Sequence, residues 1–168
     1  DRLLGHFEHW DGLEPGEMAT ATLTTTLPPA KPGRYYVIVR PDILDQVPEG
    51  TGEANNVTTS AGTVAVSVPE LHLGVPLETS LSTDQERLFR VTVDADQTLL
   101  LSLTTAGQNA SNELFVRHED VPTAVQYDAA YEGPLQANQF ALAGPTDPGT
   151  YYVLIRGHYE PQDDTPVT

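Results

Sequence analysis

Apolar and polar residues alternate in short runs along this chain, and each run stops at Pro, Gly, Asn or Asp. A period of two sends successive side chains to opposite faces of a strand, whereas a helix repeats every three or four residues. The runs therefore predict an all-β protein with short strands and many turns. Ala19-Ala21-Leu23-Thr25-Leu27 alternates with Thr20-Thr22-Thr24-Thr26, Tyr35-Val37-Val39 with Tyr36-Ile38-Arg40, and Val64-Val66-Val68 repeats the pattern. Phe89-Val91-Val93 is followed by the turn Asp94-Ala95-Asp96-Gln97 and then by Leu99-Leu101-Leu103, which predicts a hairpin. Later strands are expected over 113–117, 139–143 and 151–156.

With 168 residues there is room for one large domain or two small ones. The pattern changes at Val68-Pro69-Glu70-Leu71, where a Val-rich strand runs into Pro and then into breaks at Gly74 and Pro76. The boundary is placed there, giving domains over 1–69 and 70–168, with formal charges of −5 and −11. One ten-residue stretch occurs twice: Lys31-Pro32-Gly33-Arg34-Tyr35-Tyr36-Val37-Ile38-Val39-Arg40 and Asp147-Pro148-Gly149-Thr150-Tyr151-Tyr152-Val153-Leu154-Ile155-Arg156. The flanks do not align, so the echo reads as one local solution used in two sandwiches. Pro-Gly makes the turn, the first Tyr anchors a core, and the aliphatic residues fill the sheet.

Charge excludes whole classes of partner. Eight basic against 24 acidic residues leave a net charge of −16, and the pI is near 4.3. Nucleic acid and anionic membrane surfaces both require a basic footprint that is missing here. No apolar run approaches the roughly 18 residues of a membrane span, so no direct insertion is expected. The absence of Cys removes disulfides and thiolate chemistry. The start at Asp1-Arg2-Leu3-Leu4 carries neither an initiator Met nor a signal-peptide pattern, and reads as a segment of something longer.

Two resemblances follow from particular residues. Leu13-Glu14-Pro15-Gly16-Glu17, the Thr/Ala run, Pro32-Gly33-Arg34-Tyr35-Tyr36, Val47-Pro48-Glu49-Gly50 and Glu53-Ala54-Asn55-Asn56-Val57 make residues 1–69 similar to the C-terminal two-thirds of a CARDB domain. That family is an immunoglobulin-like sandwich of prokaryotic surface and secreted proteins associated with cell adhesion. A full member carries one or two strands before the position of Asp1. Residues 71–168 resemble a bacterial pre-peptidase C-terminal (PPC) domain, a jelly-roll-like sandwich appended to secreted peptidases and surface proteins. The matching stretches are Asp84-Gln85-Glu86-Arg87-Leu88-Phe89-Arg90-Val91, Leu99-Leu100-Leu101-Ser102-Leu103, Asn112-Glu113-Leu114-Phe115-Val116-Arg117, Tyr127-Asp128 and Gly149-Thr150-Tyr151-Tyr152-Val153. The PPC pattern usually has Asp where Asn112 or Glu113 stands, and a final strand is expected after Thr168.

The fold class is thus two tandem antiparallel β-sandwiches, immunoglobulin-like then jelly-roll-like. The resemblances imply an extracellular or cell-surface module without catalytic activity, a spacer with an adhesive or substrate-targeting surface. Its partners would be neighbouring sandwich modules and a surface polysaccharide or protein ligand. Two other readings stand beside it: an accessory pair in a secreted peptidase or glycosidase, and a self-associating fibre or sheath subunit completed by a neighbour's strand.

Loop 42–56 gathers Asp42, Asp45, Glu49, Glu53, Asn55 and Asn56, oxygen donors of the kind calcium takes. The plainer reading is that Asp and Asn lock turns through their own backbone. Asp94 with Asp96, Glu119-Asp120 beside His118, and Asp163-Asp164 pose the same choice, and some PPC-like domains of collagenases bind calcium. His6 and His9 are oddly spaced for shared ligation in a strand. No Gly-x-Ser-x-Gly marks a serine nucleophile. Trp10, near Phe7, could offer an aromatic platform to sugar or peptide, or plug a core.

Overall fold

The computed structural model describes residues 2–8, 17–44, 46 and 56–168, which contain strands and turns and no helix. The all-β expectation holds. The second half of the chain, from 79 to 167, builds a two-layer sandwich. One layer is an antiparallel sheet ordered β6–β11–β8–β9, from Glu86–Val93, Gly149–Tyr159, Ser111–His118 and Ala129–Ala130. The other contains two antiparallel pairs, β5 (Thr79–Leu81) with β12 (Thr165–Val167) and β7 (Leu99–Leu103) with β10 (Gln139–Ala143). Reciprocal bonds between the backbones of Thr104 and Thr168, both 2.8 Å, join these pairs into one layer.

Alternation explains the core. Phe89, Val91 and Val93 of β6 and Tyr151, Val153 and Ile155 of β11 point inward, with Leu114 and Val116 of β8, to meet Leu99, Leu103, Ala141, Ala143, Leu81 and Val167 of the facing layer. Val153 lies opposite both Phe89 and Val116, so the ladder and the core specify the same register. The outer face of this sheet is also covered. Leu154, opposite Leu88 and Phe115, is only 4% exposed. Tyr127 and Tyr131 pack on Phe115 with ring centroids 5.6 and 5.5 Å away. At the β6 side, Pro28, Pro29, Ala30, Val66 and Val68 close over Leu88 around a crevice of about 150 Å³.

The first half forms two small antiparallel pairs, β1 (Gly33–Tyr35) with β4 (Val64–Val66) and β2 (Ile38–Val39) with β3 (Thr58–Thr59). The complete immunoglobulin-like sandwich is not seen among the described residues. Residues 19–27, expected as a strand, have no ladder partner among the described residues and lie exposed. The Ala face of that run removes too little apolar area from water to hold an unpaired strand. The echo also divides: Tyr151 is 4% exposed, whereas Tyr35 is 42% exposed and its hydroxyl donates to the Lys31 carbonyl at 2.8 Å. Tyr35 does not anchor a core, because β1 pairs only with β4 and no second layer covers it among the described residues.

The predicted hairpin at 94–97 is an arch instead. β6 pairs with β11 and β7 with β10, so the chain crosses from one layer to the other at this turn. Both strands carry one strongly apolar face, and placing them in opposite layers lets both faces enter the same core. Gly74 does mark a turn, at φ 75°, with Val75 N–H donating to the His72 carbonyl at 3.0 Å.

Candidate functional site

In the acidic loop, pairing of Val39 with Thr58 closes the chain between β2 and β3 and brings Asp42 and Asn56 to one end of that pair. Asp42 sits at φ 45°, and its Oδ1 accepts the Gln46 N–H at 2.8 Å. That is a turn lock of the kind short polar side chains make. Asp45, Glu49, Glu53 and Asn55 lie outside the described residues, as does Trp10.

Several acidic residues of the sandwich stand at turns. Asp84, Asp96 and Asp164 all adopt positive φ, between 54° and 62°, a region these side chains tolerate. At the arch, Asp96 N–H donates to the Thr146 carbonyl at 2.8 Å, Thr146 Oγ1 donates to the Asp94 carbonyl at 2.7 Å, and Gln97 N–H donates to Thr146 Oγ1 at 3.0 Å. Thr146, which the sequence reading missed, thus binds the arch from the opposite side. Asp164 N–H donates to Ser82 Oγ at 3.0 Å, and Ser80 Oγ lies 3.3 Å from Asp164 Oδ1.

The densest polar corner surrounds His118. Its ring stacks on Tyr151 with centroids 4.8 Å apart, and its backbone N–H donates to Asp128 Oδ2 at 2.7 Å. Glu119, at φ 55°, accepts the Thr150 N–H at 2.8 Å. Gly149, at φ 143°, is required here: a Cβ would fall 2.6 Å from Glu119 Oε1 and 2.8 Å from His118 Nε2. Asp120 accepts the Val121 N–H at 2.9 Å and faces Arg117 at 3.2 Å and Lys31 at 3.4 Å. The Val121 N–H holds its carboxyl below the ordinary aspartate range; partial burial opposes this, and Lys31 and Arg117 add to it. Lys31, the single lysine, thereby ties the first half of the chain to the sandwich.

A second polar row crosses the outer sheet face. Tyr131 donates to Glu113 Oε1 at 3.2 Å, and Arg156 lies 3.6 Å from Glu113 and 3.4 Å from Asp84. Burial, then the Glu113 charge, raises the Tyr131 hydroxyl above its usual value. Beneath the 105–109 turn, Glu160 is 5% exposed and neither carboxylate oxygen has a hydrogen-bond partner. Among the described residues no three His, Asp or Glu side chains group so as to hold a metal. An open groove of about 490 Å³ beside β12 is lined mainly by Thr79, Thr104, Thr105 and Thr168, with Glu78 as its single carboxylate.

No family model matches this sequence, and no curated protein matches it. Among solved structures, the chain is similar to the pre-peptidase C-terminal domain of a collagenase from Bacillus anthracis. The identity is 16% and the TM-score 0.47, over 60% of this chain and 91% of that one. The architecture described above rests on this chain's own strand order and registers.

Proposed function

We propose that this chain is a non-catalytic extracellular module of a larger prokaryotic secreted or surface protein. A PPC-like sandwich over 70–168 follows a partial CARDB-like segment over 1–69, and together they act as a stiff spacer presenting an adhesive or substrate-targeting surface. Calcium taken by the acidic 42–56 loop would stiffen it further. The module character and location rest on the residues that resemble the two families.

The observation that supports the spacer reading is the joint. Residues 69–71 run alongside β6, with Arg90 N–H donating to the Pro69 carbonyl at 3.0 Å and Leu71 N–H to the Arg90 carbonyl at 2.7 Å. Glu70 faces Arg90 at 3.1 Å, and Lys31 reaches Asp120. Exposed ion pairs contribute little singly. Here they flank backbone bonds and the crevice that Pro28, Pro29 and Val68 line together with Leu88, so bending the joint would disturb all three together.

Amide ¹⁵N relaxation on the intact chain tests the reading. The amides of β1 and β4 should report the same rotational correlation time as those of β6, β8 and β11. A distinctly shorter time for residues 33–66 would overturn the spacer.

A further inference from the structure

Three of the sandwich's four sheet edges are occupied or too short to pair. The β6 edge is taken by residues 69–71. At the β5 edge, Arg87 Nε donates to the Ser80 carbonyl. The β9 edge is two residues long. The fourth edge is β10, five residues with the sequence Gln139-Phe140-Ala141-Leu142-Ala143. Among the described residues its backbone bonds only to β7.

This edge lacks the devices that keep edges apart. Proteins guard a bare strand with lysine or another charge, proline, a bulge or a covering segment. In a chain of net charge −16, neither β10 nor β7 contains a charged residue. Their outward side chains are instead apolar: Leu100 is 63%, Leu142 57% and Phe140 47% exposed, with Leu142 directly opposite Leu100.

We propose that β10 pairs antiparallel with β10 of a second copy of this chain, forming a two-fold dimer with a sheet continuous across the dyad. The strand is self-complementary. A dyad through Ala141 sets Phe140 opposite Leu142 of the copy and Leu142 opposite Phe140, so Leu100, Leu142 and Phe140 extend into one apolar stripe. On the inner face Ala143 is small and Gln139 is buried with its Nε2 donating to the carbonyls of Asn112, Gly133 and Gln136, so neither sets a charge against the copy. An unrelated extended peptide could use the same backbone edge, but the matched order of Phe and Leu about Ala141 favours the second copy.

The interface is small, so association belongs to the weak class that buries less than about 1,200 Å². Each copy carries the same strong negative charge, while the contact itself is apolar. Added salt should therefore strengthen the dimer, since raising it from about 0.01 M to about 1 M shortens the screening length from about 30 Å to about 3 Å.

The test is sedimentation equilibrium of the full chain over a wide concentration range at low and high NaCl, with amide exchange at both ends of the range. The expected results are a monomer–dimer equilibrium tightened by salt, and added protection of the 139–143 amides at high concentration. Leu142→Lys and Phe140→Lys, at exposed positions where the monomer's thermal unfolding should change little, should each weaken association at least tenfold. Val39→Lys, on the exposed surface of the first half, should not. A monomer at every concentration and salt, a dimer loosened by salt, or a dimer broken by Val39→Lys but not by Leu142→Lys would each overturn the proposal. So would a monomer in which β10 is protected only by an added apolar peptide.

Discussion

Replacing Tyr151 and Tyr35 by alanine, one at a time, asks the structure to separate two positions that the repeated sequence makes alike. Tyr151 is 4% exposed, stacks on His118, and accepts the Asp147 N–H at 3.0 Å. A buried aromatic removes about 150 Å² or more from water. At about 25 cal/mol per Å² that is worth about 4 kcal/mol, inside the range of about 3–5 kcal/mol for truncating a buried aromatic. Tyr35 is 42% exposed and its hydroxyl bonds only the nearby Lys31 carbonyl. Truncation there opens no sealed cavity and should cost about 1 kcal/mol. The gap of about 3 kcal/mol is a roughly hundredfold difference in the folding equilibrium. Urea unfolding followed by far-ultraviolet circular dichroism measures both variants on one scale. Equal costs, or a larger loss at Tyr35, would refute the assignment of Tyr151 to the core and Tyr35 to the surface.

The two glycines of the echo should also behave differently. Gly149→Ala forces a side chain into φ 143° and against Glu119 and His118, and should cost at least about 1–3 kcal/mol, whereas at Gly33 a Cβ meets only ordinary contact with Tyr35 at 3.4 Å; comparable midpoints in urea would contradict this. For Asp120, the folded carboxyl titrates below the unfolded one, so its stabilisation is fully present above the ordinary aspartate value of about 3.9 and fades as pH falls through the lowered folded value. Wild type should thus melt above Asp120→Asn at neutral pH, and the two curves should converge in acid; a gap that widens in acid would reverse the sign. Tyr131 titrates higher when folded, so its contribution is full below the ordinary tyrosine value and is lost as pH rises through the raised folded one. Tyr131→Phe should then narrow its difference from wild type in alkali, as followed by thermal melts. Finally, calcium added after EDTA should raise the melting midpoint beyond the effect of matched NaCl or magnesium, the folded state gaining about 2.7 kcal/mol at a hundredfold excess over the dissociation constant. The triple variant Asp42→Asn, Glu49→Gln, Glu53→Gln should abolish that rise, and its persistence would remove the 42–56 loop from consideration.

Strand content was legible in the sequence because a period of two is a local property. Phe89-Val91-Val93, Leu99-Leu101-Leu103 and the 113–117, 139–143 and 151–156 runs all became strands. The turn-forming habit of Asp was legible for the same reason: Asp42, Asp96 and Asp164 each take positive φ, although Asp84, which does so too, was not read as a turn residue. The candidate site was far less so. Of the acidic loop, Asp42 acts as a turn lock. The polar roles of Thr146 and Lys31 have no local signature, because the residues they bond lie far away along the chain.

Alternation told each run which residues share a face, and Pro-Gly told the chain where to turn. What covers a face was decided only by packing. The same Pro-Gly-x-Tyr-Tyr stretch became an eleven-residue central strand with Tyr151 inside, where β6 and β8 flank it and a second layer lies beneath. In the first half, where β1 has one partner strand, it became two short pairs with Tyr35 in water. Likewise Asp94 to Gln97 looked like a hairpin and served as an arch, because two apolar faces are buried together only from opposite layers. Local sequence sets the dihedral habit and the side-chain period; burial depends on which distant strands arrive, and that is a property of the assembled sandwich.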